Sequence, residues 1–334
     1  MPIYKESGVD FDSVGKFRNA IISQLSYEGG KYRRAAKIGH YSGLVSFLGN
    51  FLAIHTDNVG TKTMTALKYN HFNEIGYDLV GMNVNDIICM GAEPIAMVNY
   101  IAGSMLDDSA GTTIGTSINN ACVEAGITMV GGETASVPDL VNGIDISGTV
   151  IGHLQKGKEI TGIRIKEKDK VTGLASNGIH SNGFSLIRKI YENKPEMLEE
   201  DFQGKPFWES LLKGTRIYSK KLFELIQEFD LHGISHITGG GVRNLLRLKE
   251  ARYKLTYPEI PPLFQKINRD GKIPNQEAFE VFNMGIGMMI ISSKKDQDSI
   301  IQELGKFNPT DLGVVTAGHG ISVDNYGVRY HSYY

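Results

Sequence analysis

The sequence predicts a mixed α/β fold, of the α+β type, built as two domains. The chain has 334 residues, which corresponds to about two domains at roughly 150 residues each. Strand-like and helix-like apolar patterns interleave in both halves. The most charged stretch, residues 156–170, lies near the middle of the chain. We expect the boundary within it, dividing the chain into an N-terminal domain, 1–165, and a C-terminal domain, 166–334.

Composition narrows the class of protein. Hydrophobic residues make up 41% and charged residues 22%, as in ordinary globular proteins, which argues against disorder and fibrous structure. The formal net charge of −2 offers no overall attraction for nucleic acid or an anionic membrane. We find no signal-peptide core, no apolar run long enough to span a bilayer, and only two cysteines. We therefore expect a cytoplasmic protein that binds neither nucleic acid nor membranes.

Apolar spacing predicts the elements of the first half in order. A helix begins near Asp12 and carries an apolar stripe, and a loop occupies residues 28–43. The run 44–56 contains two strands that meet at the turn pair Gly49-Asn50. The further elements are helices over 72–90 and 108–125 and strands over 95–102, 127–131 and 144–155.

The second half restarts with a strand over 171–176 and a glycine-rich loop behind it. The loop 236–241 is expected to open another helix. The remaining elements are helices over 183–192, 217–229 and 296–306 and strands over 284–292, 312–317 and 320–325.

Three acids stand at the ends of predicted buried elements. Asp57 follows a strand, Asp86 lies near the end of an apolar helix, and Glu133 follows a strand and two glycines. Carboxylates brought to one edge from several elements would suit Mg²⁺, which binds through a few carboxylates, phosphates and waters. The same positions also suit helix caps and solvated loop acids.

The segment that begins at Asp57, DNVGTK, joins an acid, a turn, a hydroxyl and an ammonium group. Thr61 and Lys62 are candidates to hold a phosphate, although the segment is not a Walker A sequence. A polar helix start after a strand would have the same appearance.

Two histidines precede glycines at the start of helical patterns. His180 begins HSNG and His236 begins HITGGG. Glycine-rich turns of this kind present backbone N–H groups to anions, and a histidine there would bind phosphate or transfer a proton. A structural histidine remains the alternative at each position.

Together, these motifs resemble the phosphoribosylformylglycinamidine cyclo-ligase family, also called aminoimidazole ribonucleotide synthetase. The matches occur in the family's order and extend from residue 4 to residue 288. They are Y-K-x-x-G-V-D at 4–10, T-D-x-V-G-T-K at 56–62, N-D with G-A-E-P at 85–94, G-G-E-T-A at 131–135, H-S-N-G-F-S-L-I-R-K at 180–189, H-I-T-G-G-G at 236–241 and F-N-x-G-I-G-M at 282–288.

The resemblance implies an enzyme that uses ATP and Mg²⁺ to close formylglycinamidine ribonucleotide to aminoimidazole ribonucleotide, with ADP and phosphate as the other products. It implies a homodimer in which the N-terminal domain contributes strands to an intersubunit β-barrel. The C-terminal domain would be a mostly antiparallel sheet packed against helices.

The resemblance also implies roles for individual residues. Asp57, Asp86 and Glu133 would be the metal ligands. Either His180 or His236 would be the acid or base, and Lys62 is included with the catalytic residues. The residues implied to bind ATP or phosphate are Asn85, Thr61, Lys62, Ser181, Asn182, Gly183, Thr238, Gly239, Gly240 and Gly241.

The choice between the two histidines stays open in the sequence, with His180 favoured because His-Ser-Asn presents three polar groups together. A small-molecule kinase of the same superfamily is the alternative enzyme. The alternative from another functional class is a nucleotide-binding subunit without enzymatic activity. Such a subunit would be free to lose one of the three acids, and all three are present.

Overall fold

The computed structural model describes residues 11–27, 29–36, 38–104 and 107–333. The motif at residues 4–10 therefore lies outside the described residues. Helix α1 (Phe11–Gln24) begins slightly before the predicted cap. Its apolar stripe is not part of the core, because Val14, Phe17, Ile21 and Leu25 are between 49% and 71% exposed.

The N-terminal half forms an open five-stranded sheet in the order β1-β2-β5-β3-β4. The β3–β4 pair is parallel, and the other neighbouring strands are antiparallel. The strands are β1 (Gly43–Phe47), β2 (Asn50–Asn58), β3 (Glu93–Gly103), β4 (Thr128–Ser136) and β5 (Ile144–Leu154). Among the described residues of one chain, the sheet does not close into a barrel.

Three helices accompany this sheet: α2 (Lys62–Lys68), α3 (Ile75–Cys89) and α4 (Asp108–Ala125). Helix α4 makes the crossover that parallel strands require. The side chain of Asp107 accepts hydrogen bonds from the amides of Ser109 and Ala110 at its start. Gly126 ends it in the left-handed conformation, as the sequence predicts.

Helix α3 is the central element of the molecule. It is apolar around most of its circumference, as expected for a helix that is buried on all sides. It packs against β2 and β5 of the first sheet and, in the second half, against β9 (Leu231–His236) and α7 (Ser219–Glu228). The polar residues of α3 are therefore held where the two halves meet.

The C-terminal half forms a seven-stranded sheet in the order β14-β13-β10-β12-β6-β11-β9, antiparallel except for the β10–β13 pair. This matches the mostly antiparallel sheet that the resemblance implies. Its strands are β6 (Lys170–Ala175), β9 (Leu231–His236), β10 (Arg252–Leu255), β11 (Ile286–Ser292), β12 (Thr310–Thr316), β13 (Gly320–Val323) and β14 (Val328–Tyr330); β7 (Asp201–Phe202) and β8 (Lys205–Pro206) form a separate hairpin.

The helices of this half are α5 (Phe184–Tyr191), α6 (Phe207–Leu211), α7 (Ser219–Glu228), α8 (Pro262–Gly271), α9 (Asn275–Val281) and α10 (Gln297–Glu303). Segment Gly241–Arg247 is a 3₁₀ helix. None of the described helices has both the length and the apolarity needed to cross a membrane.

One strand differs from its prediction in a way that affects the site. The sequence predicts a short strand over 127–131, followed by the segment GGETASVP. Strand β4 instead continues through Ser136, because residues 131–136 pair in parallel with β3. Glu133 is therefore inside a strand rather than after one.

Candidate active site

Three segments that the sequence singled out meet between the two halves. The loop before α2 reaches the start of α5, where Thr61 Oγ1 lies 3.2 Å from Ser185 Oγ. The loop 236–241 reaches the same place, since a Cβ built on Gly239 would lie 3.1 Å from Asn182 Oδ1. The structure therefore brings the DNVGTK segment and both histidine-glycine loops together.

His236 ends strand β9 and is fully buried against α3. Its Nδ1 donates to Asp86 Oδ1 over 2.8 Å, and the Asn85 amide nitrogen lies 3.5 Å from its Nε2. With the proton on Nδ1, Nε2 presents a lone pair. A base held by an acid in this way is suited to taking up a proton.

Asp86 joins two histidines. Its second oxygen lies 3.4 Å from His55 Nε2. Burial alone would raise the pKa of Asp86, but neighbouring His55 and His236 outweigh burial and hold it below its usual value. Asp86 is therefore ionised at neutral pH and keeps His236 oriented.

Asp57 is half-buried near the end of β2, and Asn83 of α3 holds its backbone. The Asp57 amide donates to Asn83 Oδ1 over 3.1 Å. Burial raises the pKa of Asp57, and the negative charge of Asp86 adds to that rise. The negative charge of each carboxylate disfavours ionisation of the other, and a cation would relieve this effect.

Glu133 lies on the other side of the sheet. The backbone register aligns Asp57 with Gly148, Asn99 and Gly132, and it aligns Glu133 with Tyr100 on the opposite face. Three strand spacings, about 14 Å in total, separate the two strands. Among the described residues, no group of three or more histidine, cysteine, aspartate or glutamate side chains is arranged to hold a metal ion. The triad of metal ligands stays a prediction.

Lys62 is fully buried and contacts three acceptors. Its Nζ lies 2.7 Å from Asp78 Oδ2, 2.7 Å from the Lys213 carbonyl and 3.2 Å from the His180 carbonyl. An ammonium group has three hydrogens, so these contacts use them all. The described contacts of Lys62 join the two halves, and its predicted role at a phosphate or in catalysis stays a prediction.

Asn85 also joins the halves. Its Nδ2 donates to the Arg216 carbonyl over 2.8 Å, and its Oδ1 accepts from the Tyr218 amide over 2.9 Å. Both ends of the side chain are therefore engaged with the segment before α7. Its predicted role at the nucleotide phosphates also stays a prediction.

The loop at 180–183 carries buried polar atoms suited to a ligand. His180 is fully buried, with its backbone at φ +64°, and its Nε2 lies 3.1 Å from Asn177 Oδ1. Among the described residues, neither His180 Nδ1 nor Asn182 Nδ2 has a hydrogen-bond partner, although both atoms are buried. Buried polar atoms without partners are costly, so a bound ligand would account for them.

Glycine is required at the ends of both loops. At Gly183, φ is +81° and a Cβ would lie 2.2 Å from Phe282 Cε1. At Gly241, φ is +56° and a Cβ would lie 1.9 Å from the Phe279 carbonyl oxygen. No larger residue fits these turns without moving backbone or a packed ring. Ser181, Thr238 and Gly239 are half-buried beside them, and Gly240 is buried at φ +98°.

Comparisons with known proteins identify the family. Residues 39–154 match the family model described as AIR synthase related protein, N-terminal domain, and residues 166–324 match the corresponding C-terminal domain. A phosphoribosylformylglycinamidine cyclo-ligase from Pyrococcus furiosus is 42% identical over 99% of this chain and 100% of its own length. The chain belongs to the phosphoribosylformylglycinamidine cyclo-ligase family. A cyclo-ligase from Methanocaldococcus jannaschii is 41% identical over 92% of this chain and 90% of its own.

Solved structures share the fold of this cyclo-ligase family member at low identity. Thiamine monophosphate kinase from Aquifex aeolicus has a TM-score of 0.61 at 16% identity, covering 96% of this chain and 99% of its own. The hydrogenase maturation protein HypE in complex with ATP has a TM-score of 0.63 at 18% identity. The likeness covers 94% of this chain and 93% of the HypE chain. At these identities, the likeness concerns the fold alone.

Sequence reasoning missed several residues that build the site of this cyclo-ligase family member. Asp78 and Asn83 lie on α3 and hold Lys62 and Asp57, and Asn244 donates to the His236 carbonyl over 3.2 Å. One signal was available for α3: polar side chains that recur within an otherwise apolar helix must find buried partners. For Asn244, the sequence carries no comparable signal.

Proposed function

We propose that the chain uses ATP to convert formylglycinamidine ribonucleotide to aminoimidazole ribonucleotide, releasing ADP and phosphate. The observation that carries the proposal is the oriented His236–Asp86 pair beside two glycine loops, in a chain 42% identical over almost its full length to a cyclo-ligase. The neighbour structure of HypE in complex with ATP supports ATP as the nucleotide.

The chemical problem is that the formyl group is a poor electrophile. Transfer of the γ-phosphoryl group from ATP to the formyl oxygen, with loss of the proton on the amide nitrogen, gives an iminophosphate and ADP. The amidine nitrogen of the same molecule then forms a bond to the formyl carbon and loses a proton, and the carbon–oxygen bond breaks to release phosphate. Because both reacting groups belong to one substrate, holding it folded supplies much of the acceleration.

The residues described above would divide this work. His236 Nε2, which lies 3.5 Å from the Asn85 amide nitrogen, would take the proton that the amidine nitrogen of the substrate loses. Asn182 Nδ2 and the amides of the 238–241 loop would donate to phosphate oxygens. His180 would stay neutral and contribute a hydrogen bond through Nδ1.

Asp57 and Asp86 fit a Mg²⁺ ion, because burial and the negative charge of Asp86 both raise the pKa of Asp57, and a divalent cation would favour the ionised carboxylates. When bound, the ion would neutralise charge on the transferred phosphoryl group. Glu133 lies on the outer face of the first sheet, opposite to Asp57. A second subunit in a homodimer would pack against this face, so any contribution of Glu133 would be at the boundary between subunits.

We further propose that the protein is a cytoplasmic homodimer. The outer face of the first sheet carries apolar side chains that are partly exposed to water in a single chain. Ile54, Val98, Tyr100 and Ile151 are each between 38% and 43% exposed there. Pairing of two such faces would bury them.

Asp57→Asn tests the metal assignment. We expect the variant to fold and to lose ATP turnover, since a neutral amide is a much weaker Mg²⁺ ligand than a carboxylate. Phosphate release would be measured at ordinary Mg²⁺ concentration, with Asp139→Asn on an exposed loop as the matched control. Near-normal turnover in Asp57→Asn would rule out Asp57 as an essential ligand.

A further inference from the structure

Asn283 follows α9, in the FNMG segment that the functional assignment leaves without a role. It is 3% exposed and uses all four of its main hydrogen-bonding positions. Its Nδ2 donates to the carbonyls of Gly178 and Ile179 over 2.9 and 3.2 Å. Its Oδ1 accepts from Ser176 Oγ over 3.0 Å and from the Gly285 amide over 2.9 Å.

The two carbonyls that Asn283 binds come directly before His180. The His180 backbone has φ +64°, in the left-handed region that a non-glycine residue occupies only at a cost. Such a conformation persists when its surroundings determine it. Asn283 fixes the preceding two peptide groups, and Lys62 Nζ contacts the carbonyl of His180 itself at 3.2 Å.

The neighbouring residue supports the same loop from the other end. Phe282 lies so close to Gly183 that a Cβ on the glycine would be 2.2 Å from the ring. The backbone amide of Ser176 donates to the Gly285 carbonyl over 2.9 Å. The segment 282–285 therefore determines the conformation of 176–183 from its first residue to its last.

We infer that Asn283 is a positioning residue for the proposed reaction: through its two donor hydrogen bonds, it holds the 176–183 loop so that His180 Nδ1 and Asn182 Nδ2 meet the ligand. The inference rests on the proposed function. Asn283 itself touches neither substrate nor nucleotide in this account. Its effect is carried by the backbone of Gly178 and Ile179.

Three variants distinguish the two hydrogen bonds that Asn283 Nδ2 donates from the two that Asn283 Oδ1 accepts. Asn283→Ala removes all four hydrogen bonds. Asn283→Asp keeps the acceptor oxygen but places a second oxygen opposite the Gly178 and Ile179 carbonyls. Ser176→Ala removes only one bond to Oδ1 and is the matched control.

Hydrogen–deuterium exchange of the ligand-free full chain measures directly how well the 176–183 loop is held in place. We expect faster exchange over 176–183 in Asn283→Ala and Asn283→Asp, with little change in Ser176→Ala and in the strands of the first sheet. Unchanged exchange over 176–183 in both Asn283 variants would overturn the inference. This readout does not depend on what the enzyme makes.

Steady-state kinetics measures how the loop conformation affects the reaction. A loop displaced by about 1 Å costs on the order of 100-fold in rate, so we expect that loss in kcat, with KM for ATP little changed. Faster exchange without a loss of kcat would reduce Asn283 to a structural role and overturn the positioning claim. Wild-type protein that forms no aminoimidazole would instead refute the proposed function, while the exchange result would still decide whether Asn283 holds the loop.

Discussion

At the scale of single residues, the two histidines differ in what surrounds the ring. His236 Nδ1 donates to an ionised carboxylate 2.8 Å away. His180 contacts the side-chain amide of Asn177 and is surrounded by positive groups. The sequence favours His180 for proton transfer because of its polar neighbours, but the geometry favours His236, which has an acid to stabilise its protonated form.

His236→Ala should therefore lower kcat by about 10²- to 10⁴-fold, the usual contribution of a positioned acid or base. His180→Ala should lower kcat less than His236→Ala does, because it removes a hydrogen bond to the ligand and leaves the base in place. The kcat of both variants would be measured as a function of pH between pH 6 and 9. If His180→Ala loses kcat across this range and His236→Ala keeps it, the preference drawn from the sequence is right.

The buried ring of His180 also predicts a pH dependence of stability. Burial lowers the pKa of His180 well below its usual value, and the charges of His236, Lys62 and Arg216 act in the same direction. In the unfolded chain the ring takes up a proton below pH about 6.5, whereas the folded protein keeps it neutral. The free energy of unfolding should therefore fall as the pH decreases below about 6.5, by up to about 1.4 kcal/mol per pH unit.

Urea denaturation at pH 7 and pH 5.5 would check this dependence. His180→Asn, which tolerates the left-handed backbone, should show a smaller loss between the two pH values than the wild type. The exposed His319 supplies the control variant His319→Asn, which should behave as the wild type does. Equal losses in wild type and His180→Asn would contradict the assignment.

At the scale of elements, α2 and α3 share a buried ion pair whose two members also form hydrogen bonds to the second half. Lys62 and Asp78 form an ion pair in which neither side chain is exposed, and Asp78 also accepts from the Thr215 hydroxyl over 2.7 Å. Removing one member of a buried pair leaves the other charged and unpaired.

Lys62→Met should lower the free energy of unfolding by about 3–5 kcal/mol. Lys221→Met, which breaks a more exposed pair with Glu303, should change it far less. Chemical denaturation of both variants would measure the difference. A Lys62→Met protein as stable as wild type that fails only in ATP turnover would assign Lys62 to the phosphate after all.

The sequence predicted elements well where the chain carries local signals. Helix α4 matches its predicted bounds because Asp107 and Gly126 mark its ends. The predicted turn pair Gly49-Asn50 locates the β1–β2 turn to within one residue, since the turn residues are Leu48 and Gly49 and Asn50 begins β2. Strand β4 was underestimated because its second half is glycine-rich and is stabilised by pairing with β3, a distant segment. Long-range pairing of this kind has no local pattern.

The candidate site was predicted in part for the same reason. Motifs located Asp57, His180 and His236, and the structure brings their segments together. Alternation along β4 could not place Glu133, because the predicted strand ended before it. The partners of Lys62 and Asn85 come from the other half of the chain, and no spacing in the sequence points to them.

At the scale of the whole molecule, the exposed apolar face of the first sheet predicts association. Light scattering at micromolar concentration should give about twice the 36.8 kDa of one chain. Val98→Asp, on that face, should shift the mass towards one chain because a charge would be buried on pairing. Val123→Asp, on the exposed side of α4, should leave the dimer intact. A wild-type mass near 36.8 kDa would contradict the proposal.

In the proposed reaction, phosphoryl transfer from ATP leads to ring closure. The direct measurement is incubation of the wild-type protein with ATP, Mg²⁺ and formylglycinamidine ribonucleotide, followed by quantification of ADP and a colour test for the aminoimidazole. We expect one aminoimidazole for each ADP, with neither formed when the substrate is omitted. ADP and a stable phosphorylated product without aminoimidazole would identify a kinase instead, and the absence of any ADP would contradict an ATP-dependent enzyme acting on this substrate.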